Sequence, residues 1–339
     1  MVVAIPSIIS VAIKKRLFDM PEERKSHSSI VPTLGGIALF AGIFITTSLI
    51  NDFANLKVLQ YLIGAASILF FMGVKDDILI LSASKKLLGQ LVAAGIVVIL
   101  GGVQLTSLHG FFGAGQIHPY LGIVFSIFTV VVITNSLNLI DGINTLSGSM
   151  GVIASVTFGT WFYLNDMHSY ALLSASVIGA LIGFLWFNKT PAKIFMGDTG
   201  SLILGLVISI LAIEFIESSA SIDALYPIEA APAVAIGVLV VPLFDTLRVF
   251  AVRIAEKKSP FEPDKKHVHH RLLELGLNHI QASMTLVILN VFFIVISLML
   301  SHLGTMILTA LLLAIAAILS YIPVYLLKKR NNLKLEENE

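Results

Sequence analysis

The chain has 339 residues, of which 56% are hydrophobic and only 13% are charged, about half the charged share usual for a soluble globular protein. With a mean hydropathy of +0.92, this excludes a disordered chain, a basic nucleic-acid binder and a soluble domain. Cysteine is absent, so disulfides, a thiolate nucleophile and Cys-ligated metals are excluded too.

In chain order, residues 1–13 are apolar and are followed by Lys14, Lys15 and Arg16. That stretch is too short to cross a hydrocarbon core of about 30 Å at about 1.5 Å per residue. A late chain start or a short tucked-in helix is expected there. No basic segment precedes it and no small-residue cleavage site follows, so it does not read as a signal peptide. Ten further apolar segments are long enough to span, at roughly 34–50, 58–74, 87–104, 120–137, 143–163, 168–187, 200–217, 229–252, 280–302 and 303–327. Pro232, Pro242 and Pro323 fall inside them, as bundled membrane helices tolerate. The expectation is an all-α polytopic membrane bundle of about 10–11 transmembrane helices, forming one membrane-embedded domain over residues 1–339.

The formal charge of +1 conceals an asymmetry. When sides alternate span by span, 21 of the 22 Lys and Arg residues fall on one side and Lys57 alone on the other. The positive-inside rule makes the first side cytoplasmic, with the N-terminus outside and the C-terminus inside. External Asp52, Asp166, Glu217, Asp223 and Glu229 are unclustered in sequence and read as solvated loop residues.

The cytoplasmic side carries the chemistry, around residues 75–90, 135–145, 188–201 and 245–275. Asp76 and Asp77 end the third segment, with Lys86 nine residues on. Adjacent carboxylates near a bilayer repel and are costly to desolvate, costs that a divalent cation would relieve. Asn135, Asn138, Asp141, Gly142 and Asn144 form a polar stretch with no Lys or Arg, richer in amides and carboxylates than a turn requires. Gly197, Asp198, Thr199, Gly200 and Ser201 enter a helix, where free backbone N–H groups suit phosphate and Asp198 suits Mg²⁺, or simply caps the helix. Asp245 and Arg248 are three apart in the segment at 229–252. They read either as an i,i+3 ion pair or as charges at membrane depth that bind substrate. His267, His269, His270 and Arg271 follow Lys265 and Lys266, a donor-rich stretch for which zinc is the rival reading. Arg24, Lys25 and His27, before Pro32 to Gly36, are a weaker candidate. Carboxylates beside cationic donors, with room for a divalent metal, describe a phosphoryl-transfer site. The surrounding helices would supply a lipid-facing groove, so an enzyme joining a phosphorylated soluble donor to a lipid is expected. A transporter would place its charges near the midplane, often on repeats, and neither feature is found.

Five stretches then carry a resemblance. Pro32 to Gly36, Asp76 with Asp77, Asn138 to Gly142, Gly197 to Ser201 and His267 to Leu272 occur in the order found in polyprenyl-phosphate N-acetylhexosamine-1-phosphate transferases. That superfamily also contains phospho-MurNAc-pentapeptide translocase. The last stretch, His-Val-His-His-Arg, resembles the branch using UDP-N-acetylhexosamine rather than the translocases, which carry three consecutive histidines. The resemblance implies that UDP-GlcNAc, or a near relative, and undecaprenyl phosphate give lipid-diphosphate-sugar and UMP, with Mg²⁺ (or Mn²⁺ in its place). This would be the first membrane step of a cell-surface glycan, in the bacterial inner membrane, with a homodimer plausible and no nucleic-acid partner.

The resemblance also implies roles. Asp76 and Asp77 would serve the lipid phosphate, Lys86 would contact phosphate, and Asp198, with Asn138 and Asp77, would hold the metal. Asp141, Asn144, Asp245, Arg248 and residues 267–271 would bind substrate. Asn144 departs from the family's usual aspartate, at the position expected to read the nucleobase.

Overall fold

The computed structural model describes residues 1–15, 17, 31–50, 57–113, 115–220, 224–259 and 266–336. Arg16, residues 24–27, Asp52, Asp223 and residues 260–265 lie outside the described residues. Those described form an all-helical membrane bundle. The helices are α1 (Ala4–Lys15), α2 (Gly35–Ile50), α3 (Lys57–Ile78), α4 (Ala83–Gly95, extended by a wider turn at Ile96–Leu100), α5 (Pro119–Leu139), α6 (Leu146–Leu164), α7 (His168–Asn188), α8 (Gly197–Ser219), α9 (Ala231–Val238), α10 (Val240–Ala255), α11 (Val268–Glu274), α12 (His279–Met299) and α13 (Thr305–Glu336). Seven are individually long and apolar enough to cross a membrane, and α9 with α10 makes an eighth. Helix α2 is apolar but shorter, and α6, rich in Gly, Ser and Thr, is less apolar.

Helix starts follow local chemistry. Pro119 and Pro232 sit in first turns, where the missing N–H is no loss. A capping box starts α12, with Gln281 N donating to Asn278 Oδ1 (2.9 Å) and Asn278 N to Gln281 Oε1 (2.9 Å). The short α1 buries Ile5 and Ala12, and Met1 packs against Gly42 and Gly183.

Helix α8 is the axis of the bundle. Its apolar span is 94% buried against protein, compared with 28–39% for the other six. Helices α2, α3, α5 and α6 surround it. Close approach requires glycine: a Cβ on Gly73 of α3 would lie 2.7 Å from Thr199 N, and one on Gly205 of α8 2.5 Å from Thr134 Cα of α5. Such backbone-to-backbone packing is how membrane helices gain dispersion energy without a hydrophobic driving force. Here it also brings the inner end of α3 against the start of α8.

Two expectations need correction. The segment 229–252 is not one continuous helix, because α9 and α10 meet at an 80° bend. Pro242 has no N–H and its ring crowds the carbonyl of Val238. Asn290 of α12 repairs the break, donating from Nδ2 to Val238 O (3.0 Å) and accepting from Val241 N (3.4 Å). Such repair makes a broken helix tolerable in lipid. Nor is Glu217 a solvated loop residue. It ends α8 and accepts from Thr106 N (3.0 Å), Thr106 Oγ1 (2.6 Å) and His109 Nε2 (2.9 Å), clamping the 101–118 connection to the bundle.

Candidate active site

At one end of the bundle, α3, α4 and α5 converge on the start of α8. Asp77 caps that start. Its Oδ1 accepts from Asp198 N (2.7 Å), and its Oδ2 from Thr199 N (3.2 Å) and Thr199 Oγ1 (2.6 Å). The first amides of α8, expected to be free for phosphate, are thus held by a carboxylate from α3, which the positive end of the helix dipole favours. Gly197 makes this possible: its φ is +69°, and a Cβ there would meet the Asp77 carboxylate at 2.6–2.7 Å. The approach to α8 is fixed by residues 32–36, where Phe195 N donates to Pro32 O (2.8 Å), Gly35 N to Phe195 O (2.9 Å) and Gly36 N to Met196 O (2.9 Å).

Asp76 points elsewhere. It accepts from Leu81 N (2.6 Å) and pairs with Lys86 Nζ at 2.5 Å. The same ammonium contacts Asp198 Oδ2. The other Asp198 oxygen accepts from Asn138 Nδ2 (2.9 Å), which also reaches Ser201 Oγ (2.9 Å). Asp76, Lys86, Asn138 and Asp198 therefore form one cluster from four helices, with Lys86 and Asp198 each about one-quarter exposed.

The connection at residues 140–145 borders this cluster. Asp141 accepts a hydrogen bond from the Ser147 hydroxyl. Burial, and then the charges of Asp198 and Asp77, push its carboxyl from 3.8 up to about 8. The unfolded chain ionises this group near its ordinary value, whereas the folded chain keeps the proton. The folded state therefore binds more protons between about pH 4 and pH 8, and its stability falls as pH rises through that window. The thermal midpoint in detergent should fall accordingly, and Asp141→Asn should flatten the slope. An unchanged slope in the variant would contradict the assignment.

On the far side of Gly142 lies the histidine segment. A Cβ on Gly142 would meet the His269 ring, with Cε1 at 2.9 Å and Cδ2 at 3.1 Å. His269 is 1% exposed and neither ring nitrogen has a partner. Burial, and then His270, hold its pKa down to about 3, so it is a neutral ring offering one donor and one acceptor. Buried Arg271 Nε is likewise unpartnered, while its NH1 reaches Glu274 at 3.0 Å. Buried polar atoms are nearly always hydrogen-bonded, whereas these three nitrogens have no protein partner to give up before engaging a ligand. His267 and His269 lie parallel at 5.6 Å, and His269 and His270 are 4.3 Å apart. Stacked rings do not converge on a point as zinc ligands would. Asp245 and Arg248 of α10 are paired at 2.7 Å, and both also contact the chain at residues 266–268. Asn144 N approaches His279 Nδ1 (3.4 Å), and its side chain donates to Thr190 Oγ1 (2.9 Å).

Sequence reasoning missed several residues here. Gln90, one turn beyond Lys86, forms a double amide pair with Asn135, at 2.6 Å and 3.3 Å, locking α4 to α5. A lone glutamine on an apolar helix was the available signal. Asn188 accepts from Thr145 N (2.6 Å) and donates to Ile194 O (2.8 Å), bracing two loops. His279 and Thr190 carried no sequence signal beyond their type.

A family model described as glycosyl transferase family 4 matches residues 59–216. A probable undecaprenyl-phosphate N-acetylglucosaminyl 1-phosphate transferase of Bacillus subtilis is 34% identical over 275 residues, covering 81% of this chain and 74% of the relative. The undecaprenyl-phosphate alpha-N-acetylglucosaminyl 1-phosphate transferase of Salmonella typhi is 30% identical over 80% of this chain and 73% of its own length. The protein of that same description from Escherichia coli K12 is 28% identical over the same shares.

Proposed function

The chain belongs to glycosyl transferase family 4, and we propose on that premise that it transfers N-acetylglucosamine-1-phosphate from UDP-GlcNAc to undecaprenyl phosphate. An oxygen of the lipid phosphate attacks the β-phosphorus of the donor. The bond from that phosphorus to the bridging oxygen breaks, and UMP leaves. The observation that carries this reading is the convergence of Asp76, Lys86, Asn138 and Asp198 at the start of α8. Lys86, already between two carboxylates, can turn its ammonium to phosphoryl oxygens and stabilise the charge that grows on them. Asp76 can accept the proton of a lipid phosphate that arrives as a monoanion. His269, and Arg271 through its unpartnered Nε, offer donors to the sugar and diphosphate.

Mg²⁺ fits the donor set. Asp198 and Asp76 are hard oxygen donors on either side of a position that a cation already occupies, the Lys86 ammonium, while Asn138 turns its Nδ2 toward Asp198. Among the described residues no three His, Cys, Asp or Glu side chains are grouped to hold a metal ion, so substrate phosphate would have to complete the coordination. Asp77, expected among the ligands, has its oxygens committed to α8. When bound, the ion would neutralise diphosphate charge.

Toward the other end of α8 from this cluster, an apolar cavity of about 250 Å³ between α5, residues 105–111 and the α9–α10 bend could take only the distal part of an isoprenoid tail. It is lined by Phe125, Phe128, Ile133, Ile216, Leu239 and Leu243. The one-sided basic residues support a site facing the cytoplasm of the bacterial inner membrane, where soluble UDP-sugars are found. Purified protein given undecaprenyl phosphate should release UMP from UDP-GlcNAc. No release above the no-lipid control, across a panel of UDP-sugars, would refute the proposal.

A further inference from the structure

Asp245 lies on α10 only 5% exposed, and an ion pair with Arg248 explains only part of its surroundings. Three donors from different places converge on its carboxylate. Arg248 NH2 lies 2.7 Å from Oδ1, Val268 N 3.0 Å from Oδ1, and His267 Nδ1 2.8 Å from Oδ2. Arg248 NH2 also donates to Lys266 O at 2.6 Å. Three consecutive residues, Lys266, His267 and Val268, are thus tied to a single turn of α10. Val268 is the first residue of α11, so this anchorage sets where His269 and Arg271 stand.

The chemistry of the pair also fixes a tautomer. A carboxylate only accepts hydrogen bonds, so His267 must carry a proton on Nδ1. A neutral His267 then keeps its lone pair on Nε2. Carboxylate partners orient functional imidazoles in this way where the ring itself does the binding. His267 is 5% exposed and parallel to His269, so a change in its ring passes directly to a neighbour that has both nitrogens unpartnered.

We infer that Asp245 is a positioning residue of the transferase: it holds His267 in its Nδ1–H form and anchors the start of the helix bearing His269 and Arg271. The inference rests on the proposed reaction, in which that segment meets the UDP-sugar.

Asp245→Asn tests it. The near-isosteric amide keeps an oxygen for Arg248 and Val268 but turns an N–H₂ toward His267 Nδ1, moving the ring proton to Nε2. In purified enzyme kcat/KM for UDP-GlcNAc should fall about 10–100-fold, as for other groups that orient a functional histidine. In a His267→Ala background the same change should cost less than about twofold, since residues acting through one another are not additive. An Asp245→Asn enzyme within about twofold of wild type, or an equal loss in both backgrounds, would overturn the inference. A second readout needs neither activity nor an Asp245 variant. In ¹⁵N-histidine spectra of the wild-type protein, assigned with His267→Ala, His267 should be protonated at Nδ1; protonation at Nε2 alone would overturn the inference. Absence of UMP release by wild type would refute the proposed reaction and leave this spectroscopic result to decide the geometry.

Discussion

Asp198→Asn should abolish turnover while leaving the fold intact. The carboxylate is the common partner of Lys86 and Asn138, and it joins contributions from α4, α5 and α8 at one point. The amide keeps the shape and removes the negative charge. Without it Lys86 retains only Asp76, and the carboxylate that would help to hold a divalent cation is gone. Loss of one preorganised electrostatic group at a transferring centre costs about 10²–10³-fold in kcat, and a residue joining several such groups should cost at least that. The helix cap is untouched, because Asp77 binds the backbone N–H of Asp198 rather than its side chain. UMP release and a thermal melt on one preparation separate the two effects. Wild-type turnover, or a melting point far below wild type, would contradict this role for Asp198.

Asp77→Ala should give the complementary pattern, losing stability and activity together. Three donors at the start of α8 lose their acceptor: two backbone N–H groups and the Thr199 hydroxyl. A lost N-cap costs about 0.5–2 kcal/mol, and buried donors left unpaired add about 1–3 kcal/mol. A total of about 1.5–5 kcal/mol is expected, read as a clearly lowered thermal midpoint. Activity falls as well, because the cap holds Asp198 in place. Asp77→Asn should recover part of the stability, since its oxygen can still accept from Asp198 N. A melting point for Asp77→Ala equal to that of wild type would show that the cap is not structural.

These two aspartates show what the sequence could reveal and what it could not. Asp76, Asp77, Lys86 and Asp198 stand out as charged residues at the ends of apolar segments, and the order of the five stretches from Pro32 to Leu272 carries the family resemblance. The division of labour between neighbours Asp76 and Asp77 was not visible. It depends on a partner 121 residues away for Asp77 and on the Lys86 ammonium for Asp76. Asp245 poses the same problem. The i,i+3 pair with Arg248 is legible from spacing, whereas the bonds to His267 and Val268 arise only after the chain has turned back. Among the spans, length and apolarity located the long helices because lipid demands both. The centrality of α8 is a matter of packing on all sides, and α12 and α13, equally apolar, stand with most of their spans outside the core. The α9–α10 bend had a visible cause in Pro242, but prolines also occur in unbroken membrane helices, as Pro323 does in α13. What satisfies the backbone groups freed at this break is Asn290, a single amide on a helix some fifty residues further on.

In the proposed reaction a sugar-phosphate, and not the sugar alone, moves to the lipid. UDP-GlcNAc labelled with ³²P in its β-phosphate, incubated with purified protein and undecaprenyl phosphate, tests it directly. The label should enter the butanol-extractable lipid, and the nucleotide left in water should be unlabelled UMP. Label remaining in the aqueous phase as UDP, with the sugar alone on the lipid, would contradict the claim.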